Sequence, residues 1–337
     1  MTVVLVSPDS FKGTHPAQEV ARAIAEGVRA AGGEAIECPV ADGGEGTLDI
    51  LLARPGVEER RLEVNGPVGQ RVEARWGWDA AERTAFVESA QACGLHLVDG
   101  SPEQAVAASS AGLGEIMEAA LGAGASRIVV TLGGTGTSDG GRGMLSVLPE
   151  VPPGVQVEAL SDVDVAYEDA ARVFGPQKGA DAAAVEELTA RLHETAGLIA
   201  SRFGRDPRGR ARTGAAGGLS GALWAAYGAE LRSGADAVLD LVGFDAKAAT
   251  ADVVVVGEGR LDSQSFEGKI VSGVLARVDG LPAVAVVGSR DLDDAEAASR
   301  GLVRVWTAGD PGAMRRAGEE IVAWIRQARP PRARHYA

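Results

Sequence analysis

Five short apolar runs, each ending in a loop of Gly, Asp, Ser or Glu, punctuate the chain. They are VVLV at 3–6 before SPDSFKG, EAIECPV at 34–40 before ADGGEG, RIVVTL at 127–132 before GGTGTSDGGRG, DVVVVG at 252–257 before EGRLDSQ, and AVAVVG at 283–288 before SRDLDD. Runs that are apolar at successive rather than alternate positions are buried on both faces, which predicts strands of a parallel sheet covered by helices on either side. The text between them supplies the helices. Between the first two runs Pro16 suits a first helical position, Val20, Ile24 and Val28 recur every four residues, and Gly32-Gly33 stops the helix, giving one βαβ unit. In open sheets of this kind ligands bind beyond the carboxyl ends of the strands, where the five loops are expected to converge.

A second pattern interrupts the first. From 62 to 97 apolar and polar positions alternate around the turn cluster NGPVG, as in antiparallel strands. Residues 181–235 are alanine-rich and helical in pattern, broken by the arginine-dense GRDPRGRARTG and the glycine run GAAGGLSG. The predicted fold is α/β: a Rossmann-like parallel-sheet domain formed by both chain ends, 1–62 and 245–337, with a mixed α/β domain, 63–244, inserted. A length of 337 residues agrees with two domains, and 45% hydrophobic content is ample for two cores.

Charge removes several classes of function. A net charge of −14 without a clustered basic face argues against a nucleic-acid partner. Cys38 and Cys93 have neither metal spacing nor a disulfide framework, which suits a reducing compartment. The start MTVVLVSPDS lacks a charged leader region, and no apolar run reaches the roughly 18 residues of a membrane span. A cytoplasmic protein is expected.

Candidate chemistry begins with the cations. The chain has 33 lysines and arginines, yet its lysines are only Lys12, Lys178, Lys247 and Lys269, and all but Lys247 adjoin a glycine. A compact ammonium beside a backbone that can approach closely suits phosphate. The P-loop GxxxxGK[ST] and a strand–GxGxxG–helix fingerprint are both absent. With four scattered histidines, acid–base work falls to carboxylates or lysines. GGTGTSDGGRG, 133–143, is the strongest candidate: its glycines, Thr135, Thr137 and Ser138 offer N–H and O–H groups to a multi-anion, and Asp139 is placed to accept a proton. The alternative is a strand-to-helix turn with Asp139 as its cap. Asp42 and Glu45 in ADGGEG could share one Mg2+, and Glu258, Arg260, Asp262 and Lys269 cluster within twelve residues.

SPDSFKG, ADGGEG, SSAGLGE, GGTGTSDGG, VFGPQKGA, TGAAGGLSGAL and GEGRLDSQSFEGK stand in one order along nearly the whole chain. In that order and wording they resemble the bacterial type I glycerate kinase family. The resemblance implies two α/β domains with the active site in the cleft between them, and transfer of the γ-phosphoryl of ATP, with Mg2+, to D-glycerate, giving 2-phosphoglycerate. It also implies small-molecule partners, no nucleic acid or membrane, and leaves a homodimer open. Phosphoryl transfer needs positioning and charge neutralisation. On that basis Asp139 is expected near the attacking hydroxyl, with Lys12 and Lys178 also catalytic. Asp42, Glu45 and Asp162 are the expected Mg2+ ligands. Asp9, Ser10, Gly133, Gly134, Thr135, Ser138, Gly217, Gly218, Arg260, Asp262 and Lys269 would bind substrate and phosphate.

The chain also departs from the family pattern. GGSATNDGG is here GGTGTSDGG, and the Asn-Pro-Leu before VFGPQKGA is replaced by Ala-Tyr-Glu at 166–168. Loss of an Asn-Pro turn predicts a less organised wall at that point of the site. Rival readings are a kinase forming 3-phosphoglycerate or acting on a related hydroxy acid, a phosphatase or mutase, and a non-catalytic sensor of a phosphorylated metabolite. Retention of Asp9, Asp42, Asp139, Asp162 and Asp262 favours an enzyme.

Overall fold

The computed structural model describes residues 1–11, 13–267, 269–278 and 280–328. The chain divides into two compact units: Met1–Asp42 with the residues from Val238 on, and Gly43–Ala237. In chain order the strands are β1 (Val3–Pro8), β2 (Glu34–Glu37), β3 (Val57–Asn65), β4 (Arg71–Asp79), β5 (Thr84–Glu88), β6 (Arg127–Thr131), β7 (Gln156–Leu160), β8 (Glu230–Arg232), β9 (Val253–Leu261), β10 (Ala283–Arg290) and β11 (Leu302–Thr307).

The first unit is built on a five-stranded parallel sheet in the order β11-β10-β9-β1-β2. Val4, Val6, Val253, Val255, Val284 and Val286 are fully buried beneath Val20, Ile24 and Val28 of the Ala17–Ala30 helix and Ile321 and Val322 of the Pro311–Ala328 helix. Glycines set the approach of those helices. A Cβ on Gly318 would overlap the Ile24 carbonyl oxygen, and one on Gly27 that of Arg315.

The second unit carries a six-stranded sheet in the order β3-β4-β5-β6-β7-β8, antiparallel from β3 to β5 and parallel from β5 to β8. One face holds Val64, Trp76, Trp78, Ile116, Met117, Ile128 and Val130 in a single core. The two tryptophans meet edge to face with centroids 6.3 Å apart.

Three expectations are corrected. The run at 127–132 forms β6 of the second sheet, so the five loops do not converge on one sheet edge. The fifth strand of the first sheet is instead β11, whose edge position leaves Val303 and Arg304 exposed and so hides the apolar run that marks a central strand. The expected boundaries also shift: 62–63 lies inside β3, paired along its length with β4, and 244–245 lies inside the Phe244–Ala248 helix. No helix among the described residues is long and apolar enough to cross a membrane.

Candidate active site

In the first unit β1 is flanked by β2 on one side and β9 on the other, so the sheet is built outward from β1 in both directions. Such a switch point opens a crevice at the carboxyl ends of the strands. A cavity of about 510 Å³ lies there, lined by Asp9, Ser10, Asp42, Glu258, Arg260, Asp262, Lys269 and Ser289, with Phe11 and Ile270 among the apolar residues. The Asp9 N–H donates to the Gly257 carbonyl at 2.8 Å, tying the loop after β1 to β9. Gly288 keeps β10 close, because a Cβ there would stand 2.6 Å from the Gly259 carbonyl oxygen.

Four carboxylates and two cations thus line one cavity. Arg260 pairs with Asp291, whose hydrogen bond and charge raise the guanidinium pKa further. The Asp262 carboxylate takes the Gln264 N–H at 2.9 Å and caps the turn Ser263–Phe266, while Lys269 opens the Ile270–Arg277 helix. Of the residues expected here, Lys12 lies outside the described residues.

The remaining predicted residues fall in the second unit, around the loop after β6. This loop packs on its neighbours through backbone. A Cβ on Gly133 would overlap Gly44 Cα, one on Gly134 would reach Glu45 Oε2 at 3.4 Å, and one on Gly217 would overlap the Thr137 carbonyl oxygen. Gly217 and Gly218 also sit at φ 67° and 89°, where side chains are strained. Their conformation and missing Cβ serve contact with Thr137–Gly140 and the Tyr167 ring.

Asp139 is buried, and its carboxylate is surrounded by donors. Oδ2 accepts the Ser110 N–H at 2.8 Å, the Ser110 hydroxyl at 2.8 Å and the Gly143 N–H at 2.9 Å, while Oδ1 accepts the Gly141 N–H at 3.0 Å. A carboxylate offers about four lone-pair sites. Asp139 therefore anchors the start of the Arg142–Val147 helix to Ser110, the contact expected of a cap. Other loop N–H groups are also engaged: Gly136 donates to the Cys93 carbonyl at 2.7 Å and Gly140 to that of Gly217 at 3.0 Å.

Lys178 is buried beside this loop, its Nζ donating to the Thr137 carbonyl at 2.6 Å. Burial pulls its pKa down to about 8, against the nearby Asp139 charge, which raises it. It is a cation for the loop. The hydroxyls of Thr137, Ser138, Ser89 and Thr131 are buried without a protein partner among the described residues. A buried orphan hydroxyl costs about 1–3 kcal/mol, so such groups mark places where a ligand or ordered water completes the bonding. Thr135, also buried, bridges Gly94.

Each expected metal ligand has its own local surroundings. Asp162 accepts the Ser233 hydroxyl at 2.8 Å and the N–H groups of Gly234 and Ala235 at 2.8 and 3.0 Å, so it caps the Gly234–Leu241 helix. Glu45 lies against Gly134 in the second unit, and Asp42 lines the cavity of the first. No group of three or more His, Cys, Asp and Glu side chains suited to a metal occurs among the described residues.

Sequence reasoning missed Glu88. This buried carboxyl closes β5 and accepts the Leu48 N–H at 3.0 Å, holding the helix that follows ADGGEG. Burial raises its pKa, and the nearby charges of Asp49 and Glu45 add to the rise. The signal was a single Glu at the end of the apolar run TAFV. Cys93 is inert, pushed up to about 12 by burial.

The chain matches the sequence profile of the glycerate kinase family over residues 4–151 and 148–329. It is 41% identical over 315 residues to an uncharacterised protein of Mycobacterium bovis, covering 89% of this chain and 82% of that one. Against glycerate 2-kinase of Escherichia coli K12 it is 36% identical over 323 residues, covering 85% of each. A crystal structure described as a candidate glycerate kinase 2 of Salmonella typhimurium LT2 superposes with a TM-score of 0.84 at 31% identity, covering 97% of this chain and 99% of the other.

Proposed function

The chain belongs to the glycerate kinase family, which makes it a phosphotransferase, and from that premise we propose that it transfers the γ-phosphoryl of ATP to the 2-hydroxyl of D-glycerate. The observation that carries this reading is the cavity at the β1/β9 switch point, where Arg260 and Lys269 stand among four carboxylates. Two cations suit phosphate oxygens or the glycerate carboxylate. Hard carboxylate oxygens suit Mg2+, which takes one or two protein carboxylates and completes its shell with water and phosphate oxygens, so a dedicated cluster is not needed. Asp42, with one of Asp9, Glu258 or Asp262, would hold it; when bound it supplies charge neutralisation at the transferring phosphoryl group.

The protein's own part is positioning. Ser10 and the Asp9 loop present polar groups at the end of β1, and Arg260 and Lys269 supply fixed positive charge from β9 and the turn after it. In the second unit Asp139, Lys178 and Glu88 organise the glycine loop and its neighbours, whose orphan hydroxyls are candidate donors to substrate. An ATP-dependent metabolic reaction of this kind suits the cytoplasm.

The test is ADP release with Mg2+, with and without D-glycerate, followed by phosphorus NMR of the product. Glycerate-stimulated ADP release with 2-phosphoglycerate as product is expected. A 3-phosphoglycerate product overturns the regiochemistry, and no turnover across a panel of small hydroxy acids overturns the enzyme.

A further inference from the structure

The second unit has another cleft, between the Arg142–Val147 helix and the Ala182–Phe203 helix, with a volume of about 180 Å³. Leu145, Leu198, Ile199 and Phe203 form its apolar lining, and Leu198 is 56% exposed there. Arg142 and Arg202 complete it. Among the described residues neither has a carboxylate partner, although Arg71, Arg127 and Arg191 of the same unit each have one. The Arg202 guanidinium lies over the Phe203 ring, 5.0 Å from its centroid, and its Nη2 donates to the Pro149 carbonyl at 3.5 Å, which leaves the remaining N–H groups for a planar anion. A second, independent sign is Thr195. It is 2% exposed, lines the same cleft, and among the described residues its hydroxyl has no partner.

We propose that this cleft binds a short-chain aliphatic monocarboxylate, its carboxylate on Arg142 and Arg202, its chain on Leu145, Leu198 and Ile199, with Thr195 Oγ1 donating to one carboxylate oxygen. The volume selects the ligand class. At roughly 30 Å³ per water-sized group the cleft holds about six such groups, too few for a nucleotide. Its apolar lining rejects the hydroxylated glycerate, whose polar groups would lose water without gaining partners. Two arginines recognise one carboxylate bidentately, while an uncharged alcohol of equal length offers them nothing. The Arg142–Val147 helix that walls the cleft begins where Asp139 holds the Gly141 and Gly143 N–H groups.

Hexanoate is the probe, titrated calorimetrically into the full chain without ATP or glycerate. Saturable one-to-one binding is expected, at least tenfold tighter than that of hexanol, weakened at least tenfold in R142M/R202M and abolished in L198W, with circular dichroism confirming that both variants are folded. Absence of saturable heat, equal binding of hexanol, or wild-type affinity in folded R142M/R202M overturns the proposal. Because no substrate is present, this outcome and the outcome of the kinase assay are independent.

Discussion

Lys178 Nζ donates to the carbonyl oxygen of Thr137 at 2.6 Å from a fully desolvated position, so one loop's lysine pins another loop's backbone. The pKa of about 8, below the ordinary 10.5, gives this contact a pH signature. Below about 8 the ammonium is charged in both folded and unfolded chains, and its burial costs stability. Between about 8 and 10.5 the unfolded chain binds the extra proton, so this group's contribution to stability rises with pH. On the proposed reaction turnover runs the other way, because the positive charge beside Thr137 belongs to the active form. An alkaline fall in kcat centred near 8 is expected, absent from Lys178→Met, which should lose at least tenfold in kcat/KM, about 1.4 kcal/mol. Lys178→Arg should not rescue it, because a forked guanidinium does not fit a buried point-charge site. An unchanged alkaline limb in Lys178→Met contradicts the assignment.

Asp139→Asn tests the anchor. An amide has one acceptor oxygen, so turning it toward Ser110 and Gly143 leaves its NH2 facing the Gly141 N–H. A stability loss of about 1–3 kcal/mol is expected, together with at least a tenfold fall in kcat and an unchanged affinity for nucleotide. Urea unfolding and calorimetric nucleotide binding measure the two effects. Full stability with lost turnover would restore the base role.

What could be read in the sequence follows from where the physics is local. Val20, Ile24 and Val28 announced a helix because every fourth position faces one core, and β1, β9 and β10 announced themselves through apolar runs buried on both faces. Edge strand β11, where Val303 and Arg304 are exposed, does not carry that signal. The residues of the first-unit cavity were legible because loops at strand ends of a parallel sheet have few other uses for Asp9, Arg260, Asp262 and Lys269 together. Gly217, Asp139, Asp162 and Lys178 were legible as special residues but not in their roles. Whether a carboxylate meets a metal or a helix N–H, or a glycine meets a phosphate or a carbonyl, depends on partners far along the chain, as with Ser110 for Asp139, 29 residues away, Gly234 for Asp162, 72 away, and Thr137 for Gly217.

Gly217→Ala should be among the costliest single changes outside the first-unit cavity. The new Cβ would stand 2.5 Å from Ser138 Cα and overlap the Thr137 carbonyl, both backbone atoms that cannot swing aside, at a φ of 67°. Backbone strain of about 1–3 kcal/mol adds to overpacking of similar size. A drop in urea midpoint with a disproportionate loss of turnover is expected, because the displaced residues carry the orphan hydroxyls. A variant with wild-type stability would show that the two loops are not packed in this way.

The missing Asn-Pro-Leu leads to the last prediction. Its absence was expected to leave a loose wall, yet Tyr167 stands in its place fully buried, with its hydroxyl donating to the Gly140 carbonyl at 2.9 Å and its N–H to Thr213 Oγ1 at 3.1 Å. The glycines around it make room: a Cβ on Gly218 would come within 2.8 Å of the ring and one on Gly221 within 2.5 Å. The segment is therefore organised by an aromatic anchor instead of a proline turn. Tyr167→Phe removes only the bond to Gly140 and should cost about 0.5–1.5 kcal/mol, with a modest rise in KM. Restoring Asn-Pro-Leu at 166–168 should be far worse, because proline cannot donate to Thr213 and the lost ring leaves a cavity worth about 3–5 kcal/mol. Urea unfolding and glycerate KM on both variants decide it. If the Asn-Pro-Leu variant is as stable as the parent and binds glycerate more tightly, the loose-wall expectation was right and Tyr167 is only filling space.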